Sequence, residues 1–308
     1  MQEGSRRAIV AAFLANVGIA LAKLAAFFIT GASSMLAEAV HSFADTGNQG
    51  LLMIGSHRSQ RAPDAHHPFG HGTARYLWAF IVALVLFTVG GVFAIYEGIE
   101  KLLHPHTVDS PSWAIGVLVI AAILEALSLR TAKREARPLQ RNQSMLTFIR
   151  RTKNPELPVV LLEDTGALIG LAFALAGVLL SWATGNDRFD AIGSLAIGLL
   201  LVVIASLLAV EMSSLVVGES ATPSEVAAIE DAIRRGPNVK RVIHLRTLHL
   251  GPEDVLVAAK VEFDPALSMR ALSESIDGTE VEIRGVLPEA RLVFIEPDVY
   301  RDGVESSD

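Results

Sequence analysis

The sequence predicts a membrane α-helical protein, six transmembrane helices followed by a small α+β domain. Three observations lead there. Of the 308 residues, 51% are hydrophobic and the mean hydropathy is +0.43, more than water-soluble domains usually carry. Apolar runs of about 20 residues, the length that crosses the hydrocarbon core, recur along the first two thirds of the chain. Beyond Val217 the character changes: residues 218–308 carry 18 acids and 10 bases, against 15 and 16 in the remainder.

The first span, Ala8–Thr30, follows Arg6 and Arg7. A secretory leader begins in the same way, but this run is about 20 residues and lacks an obvious cleavage site, so a retained helix is expected. The second span, Ser34–Gly55, is interrupted by Glu38, His41, Asp45, Asn48 and Gln49. Those residues recur at spacings of three and four, which puts them on one stripe of a helix. Leu36, Val40, Phe43, Leu51, Leu52 and Met53 fill the other faces, as in a helix that turns its polar stripe to a bundle interior. The remaining spans are Leu77–Tyr96, Trp113–Leu129, Val159–Trp182 and Ala191–Val217. Basic residues set the orientation. Arg58, Arg61 and Arg75 follow span two, and Arg130, Lys133, Arg134, Arg137, Arg141, Arg150, Arg151 and Lys153 follow span four. The opposite connections carry little positive charge, so the positive-inside rule puts both termini in the cytoplasm.

The division falls at 1–217 and 218–308. In the second part, Thr222 is placed to cap a helix over Pro223–Arg235. Strands over Val239–Leu250 and Val255–Phe263 flank Gly251-Pro252, a helix covers Ser268–Val286, and a strand covers Arg291–Glu296. The order is α-β-β-α-β, ending in a polar tail from Val299 that is expected to be disordered.

Composition removes several classes of function. There is no cysteine, so disulfides and thiolate ligation are out, and any metal must be held by His, carboxylate, amide or water. The acidic balance offers no basic face for nucleic acid. No nucleophile–base pair or nucleotide-binding loop stands out, which argues against an enzyme.

The polar stripe carries the chemistry. His41 and Asp45 lie one turn apart on one face, about 10–17 Å from the outer end of their helix, near mid-membrane. A carboxylate there costs roughly 3 kcal/mol and is tolerated mainly when paired or used. Imidazole with carboxylate is a ligand set for Zn²⁺, Mn²⁺, Fe²⁺ or Co²⁺; the bland alternative is a buried His–Asp hydrogen bond. Glu163 and Asp164, in span five, reach a similar depth. Adjacent helical residues diverge by about 100°, so one of the two is expected to face a shared site. Asp164, the shorter, is expected to face His41 and Asp45 beside the close-packing pair Gly166 and Gly170. A salt bridge to Lys23 is the alternative use for one acid. In the loop after span two, Asp64, His67 and His71 have a spacing that wraps one metal, although such loop histidines are as often simply solvated. Glu97 and Glu100 suit an interfacial position. Glu125 either pairs with an arginine or carries protons. His244 and His249, in the second part, are taken as satisfied or solvated histidines.

At this point the residues resemble a family. Gly31-Ala-Ser-Ser-Met-Leu-Ala-Glu-Ala-Val-His-Ser-Phe-Ala-Asp45 is similar to the second-helix signature of the cation diffusion facilitators. His67-Pro-Phe-Gly-His-Gly, Asp190-Ala-Ile-Gly-Ser and Val217-Gly-Glu-Ser match as well, and Lys23 falls where the family tends to carry a basic residue. Asp45-Thr-Gly-Asn-Gln-Gly and Val160-Leu-Leu-Glu-Asp-Thr-Gly look most like its zinc transporter 9-like branch. The resemblance implies a homodimeric metal/proton antiporter in a bilayer, with six helices and a cytoplasmic ferredoxin-like domain. The bacterial inner membrane is the expected location. Zinc is the implied cargo, with manganese, iron or cobalt as other possibilities. The family pattern places a His or Asp and then an Asp four residues on in both helix two and helix five. His41 and Asp45 keep it. With Asp164 in the second Asp position, the upstream position is Val160, which cannot bind metal; the fourth ligand is then Glu163, Asn48 or water. Asp64, His67 and His71 match the family's loop site. Where zinc-sensing members carry histidines in the soluble domain, this chain has Lys260 and Phe294, with Glu296 nearby. A membrane sensor or scaffold that has lost transport is the competing class.

Overall fold

The computed structural model describes residues 3–104, 111–140 and 144–301, with side chains from Asn16 onward except Glu135, Pro138, Leu139, Leu146, Arg150 and Arg151. Part of the connection between His104 and Ser112, and the tail beyond Arg301, lie outside the described residues.

Long helices dominate: α1 (Glu3–Thr30), α2 (Ser33–Ser59), α3 (Ala74–Leu103), α4 (Pro111–Gln140), the short α5 (Met145–Arg151), α6 (Glu156–Thr184) and α7 (Arg188–Val217). Ala74–Leu103, Pro111–Arg134, Glu156–Thr184 and Arg188–Val217 are long and apolar enough to cross a membrane, and Asn16–Thr30 is a shorter apolar stretch. The polar stripe of α2 lowers its hydropathy below that of these four. The chain is therefore a multi-pass membrane protein of helical type. Two features were not legible beforehand. One is α5, whose first turn is capped by the Ser144 hydroxyl accepting from the Thr147 N–H. The other is a π-helical stretch, Leu86–Val92, inside α3; such wide turns occur often at functional sites.

Close helix approach needs small residues in a membrane, where there is little hydrophobic drive between helices. A Cβ at Gly198 of α7 would sit 2.7 Å from the Ile95 backbone nitrogen of α3, so only glycine permits that crossing. The turn joining α1 to α2 passes through Gly31, with φ +62°, and is pinned from α7. Asp190 Oδ2 accepts from the Ser33 N–H (2.8 Å) and the Ser33 hydroxyl (3.0 Å), and Oδ1 accepts from Ser34. Asp190 thus caps the start of α2, meeting donors that a helix N-terminus leaves unsatisfied.

The chain divides into two compact units: residues 1–57 with 75–213, and residues 58–74 with 214–308. The loop after α2 therefore packs with the C-terminal part, whereas the sequence division at 217 left it with the helices. Carbonyl Leu250 O would lie 2.4 Å from a Cβ at Gly72, which shows how closely the loop rests on the strands. The C-terminal part contains α8 (Pro223–Arg235), β1 (Val239–Gly251), β2 (Asp254–Phe263), α9 (Met269–Val286) and β3 (Leu292–Pro297). A capping box between Thr222 and Glu225 starts α8. The sheet order is β1-β2-β3, antiparallel then parallel. Alternate residues of β2, Val255, Val257, Ala259, Val261 and Phe263, face Ile229, Ile233 and Ile283 of the helices in one apolar core.

Candidate metal centre

The register of α2 builds the site. Glu38, His41, Asp45 and Asn48 form one stripe; Glu38 and Asn48 are fully buried and His41 is 1% exposed. Five atoms along it lack a hydrogen-bond partner: Glu38 Oε1, His41 Nδ1 and Nε2, Asp45 Oδ1 and Asn48 Oδ1. Left unmet by water or an ion, such an atom costs about 1–3 kcal/mol. His41 Nδ1 and Asp45 Oδ1 are 3.5 Å apart, within reach of each other but not hydrogen-bonded. The bland alternative, a structural His–Asp hydrogen bond, does not form. His41 Nδ1 also lies 3.9 Å from where a Cβ at Gly90 would stand, so the π-helical stretch of α3 forms one wall around the imidazole.

The opposing helix is α6, and two contacts set its register. Asn48 Nδ2 donates to Glu163 Oε1 at 2.7 Å. Ten residues earlier on α2, Glu38 Oε1 lies 2.8 Å from where a Cβ at Gly170 would be. The two contacts run antiparallel, so His41 and Asp45 fall opposite the short side chains of α6 around Gly166 and Ala167. A Cβ at Gly166 would meet Ile204 Cδ1 of α7 at 2.5 Å; both glycines serve close packing.

This corrects the expectation for the two acids. Glu163, 5% exposed, turns toward α2. Asp164 turns toward α4, where Ser128 Oγ donates to its Oδ2 at 2.9 Å. The reason is the facing of α6. Val160, one turn before Asp164, packs against an apolar cluster of Leu129, Ala132, Phe148 and Leu161 from α4, α5 and α6, and Asp164 follows it onto that side. Glu163 and Gly170 meet α2, and Gly166 between them packs against Ile204 of α7. An apolar residue at 160 was the available signal, because i and i+4 share a face. Both acids still line one small polar cavity with Asn16, Asp45, Gln49 and Glu125, so Glu125 shares this cavity with Asp45.

Lys23 is also corrected. It pairs with neither α6 acid: its Nζ contacts Glu38 Oε2 at 2.9 Å and donates to Ser42 Oγ at 2.7 Å. The partner is on α2, the helix directly after its own.

The loop constellation comes together as its spacing suggested. Ligand atoms of Asp64, His67 and His71 all lie within 4.8 Å of one another. His67 Nδ1 is 3.3 Å and His71 Nε2 3.5 Å from the Asp64 carboxylate. Asp64 Oδ1 accepts the N–H groups of His66 and His67, both at 2.8 Å, an Asx turn that fixes the carboxylate. Those backbone donors, that of His67 first, hold the Asp64 carboxyl below its usual range. Gly70, at φ +88°, reverses the chain so that His71 returns to the carboxylate. In the C-terminal part, Arg246 Nε donates to His244 Nε2 at 2.7 Å, and His249 is buried with Nδ1 3.3 Å from Gly251 O. Lys260 faces Glu296 across the β2–β3 pair at 3.6 Å, and Phe294 is half exposed.

Known proteins resemble this chain over most of its length. Residues 9–216 match the family model described as cation efflux transmembrane domain. The chain is 31% identical over 277 residues to the proton-coupled zinc antiporter SLC30A9, mitochondrial, of Homo sapiens, covering 89% of this chain and 49% of that protein. It is 28% identical over 262 residues to metal tolerance protein C4 of Arabidopsis thaliana, covering 84% and 57%. It is 28% identical over 299 residues to the cation-efflux pump FieF of Serratia proteamaculans, covering 92% and 94%. The chain spans about half the length of the mitochondrial relatives that it matches. A helical membrane unit with a buried polar stripe, joined to a small sheet domain, and a family match over most of the helices lead to one conclusion: the chain belongs to the cation efflux family, the cation diffusion facilitators, whose members are transporters and not enzymes.

Proposed function

We propose that this protein is a secondary transporter that exports a divalent cation, zinc first, from the cytoplasm in exchange for protons. The observation that carries the reading is the row of buried, unpartnered polar atoms on α2, with Asn48 bonded to Glu163 and Asp45 sharing a cavity with it. His41, Asp45 and Glu163 are the proposed transport ligands, with Asp164 on the α4 side of the same cavity. One imidazole and two carboxylates suit zinc and extend to manganese, iron and cobalt. The two carboxylates balance the charge of a divalent ion. Because ligands bind metal deprotonated, cation entry expels protons and proton entry expels the cation; that linkage couples the two fluxes. The names of the human and Serratia relatives, a proton-coupled zinc antiporter and a cation-efflux pump, support this direction.

In this reading α1, α2, α3, α4, α6 and α7 each cross the bilayer, the inner membrane of a bacterium. Both termini and the C-terminal domain are cytoplasmic, following the basic loops. Asp64, His67 and His71 hold a second ion, and the working unit is a homodimer. The test is zinc movement in proteoliposomes under an imposed pH gradient. Zinc flux that drives an opposite proton flux supports the proposal. Zinc bound but not moved would favour the sensor or scaffold class.

A further inference from the structure

We infer that Asn48 completes the transport site: Nδ2 holds Glu163 in place, and Oδ1 is a neutral donor to the cation where α6 offers only Val160. The inference rests on the transport-site reading above. Asn48 is fully buried. Its Nδ2 donates to Glu163 Oε1 at 2.7 Å, while its Oδ1 has no partner. An ionised carboxylate only accepts hydrogen bonds, so the NH₂ must face Glu163 and the carbonyl oxygen is left free. Asn48 is one turn from Asp45 and two turns from His41 on the same stripe. Val160, one turn before Asp164, cannot supply this donor, because it packs into the apolar cluster with Leu129 and Phe148. Gln49, next along the helix, lines the small cavity beside Asp45, but it is Asn48 that bonds Glu163 and is fully buried.

The chemistry that follows is specific. The ligand set becomes one imidazole nitrogen, two carboxylate oxygens and one amide oxygen. A neutral fourth ligand keeps the site at two negative charges. Three oxygen donors also widen tolerance for harder cations such as Mn²⁺ beside Zn²⁺. An aspartate at 48 would lose the donor to Glu163 and set two carboxylates against each other.

The experiment uses the full chain in detergent and in proteoliposomes, with Zn²⁺ and Mn²⁺ as probes and calorimetric binding as the first readout. Asn48→Ala is expected to weaken Zn²⁺ binding about 10–100-fold, the range for losing a group that supports a metal site. Asn48→Asp is expected to lower the Zn²⁺:Mn²⁺ preference. In a Glu163→Gln background, Asn48→Ala should still weaken Zn²⁺ further, because Oδ1 contributes independently of Glu163. No further loss in that background overturns the ligand role. Unchanged affinity and unchanged metal order in folded Asn48→Ala, with Asp45→Ala losing one Zn²⁺ per chain, overturns the inference as a whole. If Asn48→Ala does not fold, Asn48→Gln decides: an altered Zn²⁺:Mn²⁺ order supports it and an unaltered order overturns it. Normal binding by His41→Ala and Asp45→Ala marks a different failure, that of the transport-site reading itself.

Discussion

The Lys23 ammonium lies 2.9 Å from the Glu38 carboxylate, and both side chains are entirely shielded from solvent. Such a pair is sustained by mutual attraction and by the Ser42 hydroxyl, which accepts from the same ammonium. Removing one partner strands the other as a buried charge, which typically costs 3–5 kcal/mol. Lys23→Met is therefore expected to destabilise the protein by roughly that amount, and Lys23→Met with Glu38→Gln to recover most of it. Chemical unfolding in detergent measures both. A loss below about 1 kcal/mol in the single variant, the range of exposed pairs, would show that the pair is solvated.

Gly170 is the neighbour that Glu38 depends on. A methyl group there would sit 2.8 Å from Glu38 Oε1, and Glu38 cannot swing freely while Lys23 holds its other oxygen. At Gly166 the obstacle is Ile204 Cδ1, the end of a side chain that can rotate. Overpacking costs about 1–3 kcal/mol, so Gly170→Ala should fall at the upper end and Gly166→Ala below it. Melting temperatures of the two variants in one detergent compare them directly; the reverse order would place the tight contact elsewhere.

Much of this was legible because periodicity survives burial. The three- and four-residue spacing of Glu38, His41, Asp45 and Asn48 marked a buried stripe, although hydropathy alone passes over α2. Turn chemistry likewise marked Thr222 as a cap and Asp64, His67 and His71 as neighbours. The choice between Glu163 and Asp164 was not legible from their own chemistry, since either acid can face either neighbour. It was settled by Val160, whose packing on α4 and α5 rotates Asp164 with it. The Lys23 partner was missed for a related reason: depth along a helix can be estimated from sequence, but the neighbouring helix cannot. The capping of α2 by Asp190 joins residues 157 apart in sequence, and no local signal marks such a contact.

The facing of α6 separates the roles of its two acids. Asp45→Ala and Glu163→Gln each remove a carboxylate from the His41 side, so metal-dependent proton flux should be lost while the protein stays folded. Asp164→Asn removes one held by Ser128 of α4, so equilibrium zinc affinity should change less than in Glu163→Gln. His41→Asp should move preference from zinc toward manganese, because harder oxygen ligands suit manganese. Binding calorimetry paired with flux assays reads all four. Asp164→Asn binding zinc worse than Glu163→Gln would reverse the assignment.

The loop site makes a separable prediction. Zinc bonds to imidazole and carboxylate are about 2.0–2.2 Å, so ligand atoms now within 4.8 Å of one another need only a small closure around an ion. Asp64 is already oriented by the His66 and His67 N–H groups, which hold its pKa down. For a carboxyl with a depressed folded-state pKa, the stabilisation is present above the unfolded value and lost only as pH falls through the folded one. Asp64 is therefore ionised, and its turn intact, from neutral pH down past the ordinary carboxylate value near 4. Asp64→Asn keeps an oxygen that can accept the same two backbone donors, so the loop fold is retained while the anionic ligand is lost. The variant should bind one zinc fewer per chain by equilibrium dialysis at pH 7, with zinc still carried through the transport site. His71→Ala should have the same effect on stoichiometry. An unchanged zinc count in both variants would mean that Asp64, His67 and His71 are neighbours without an ion.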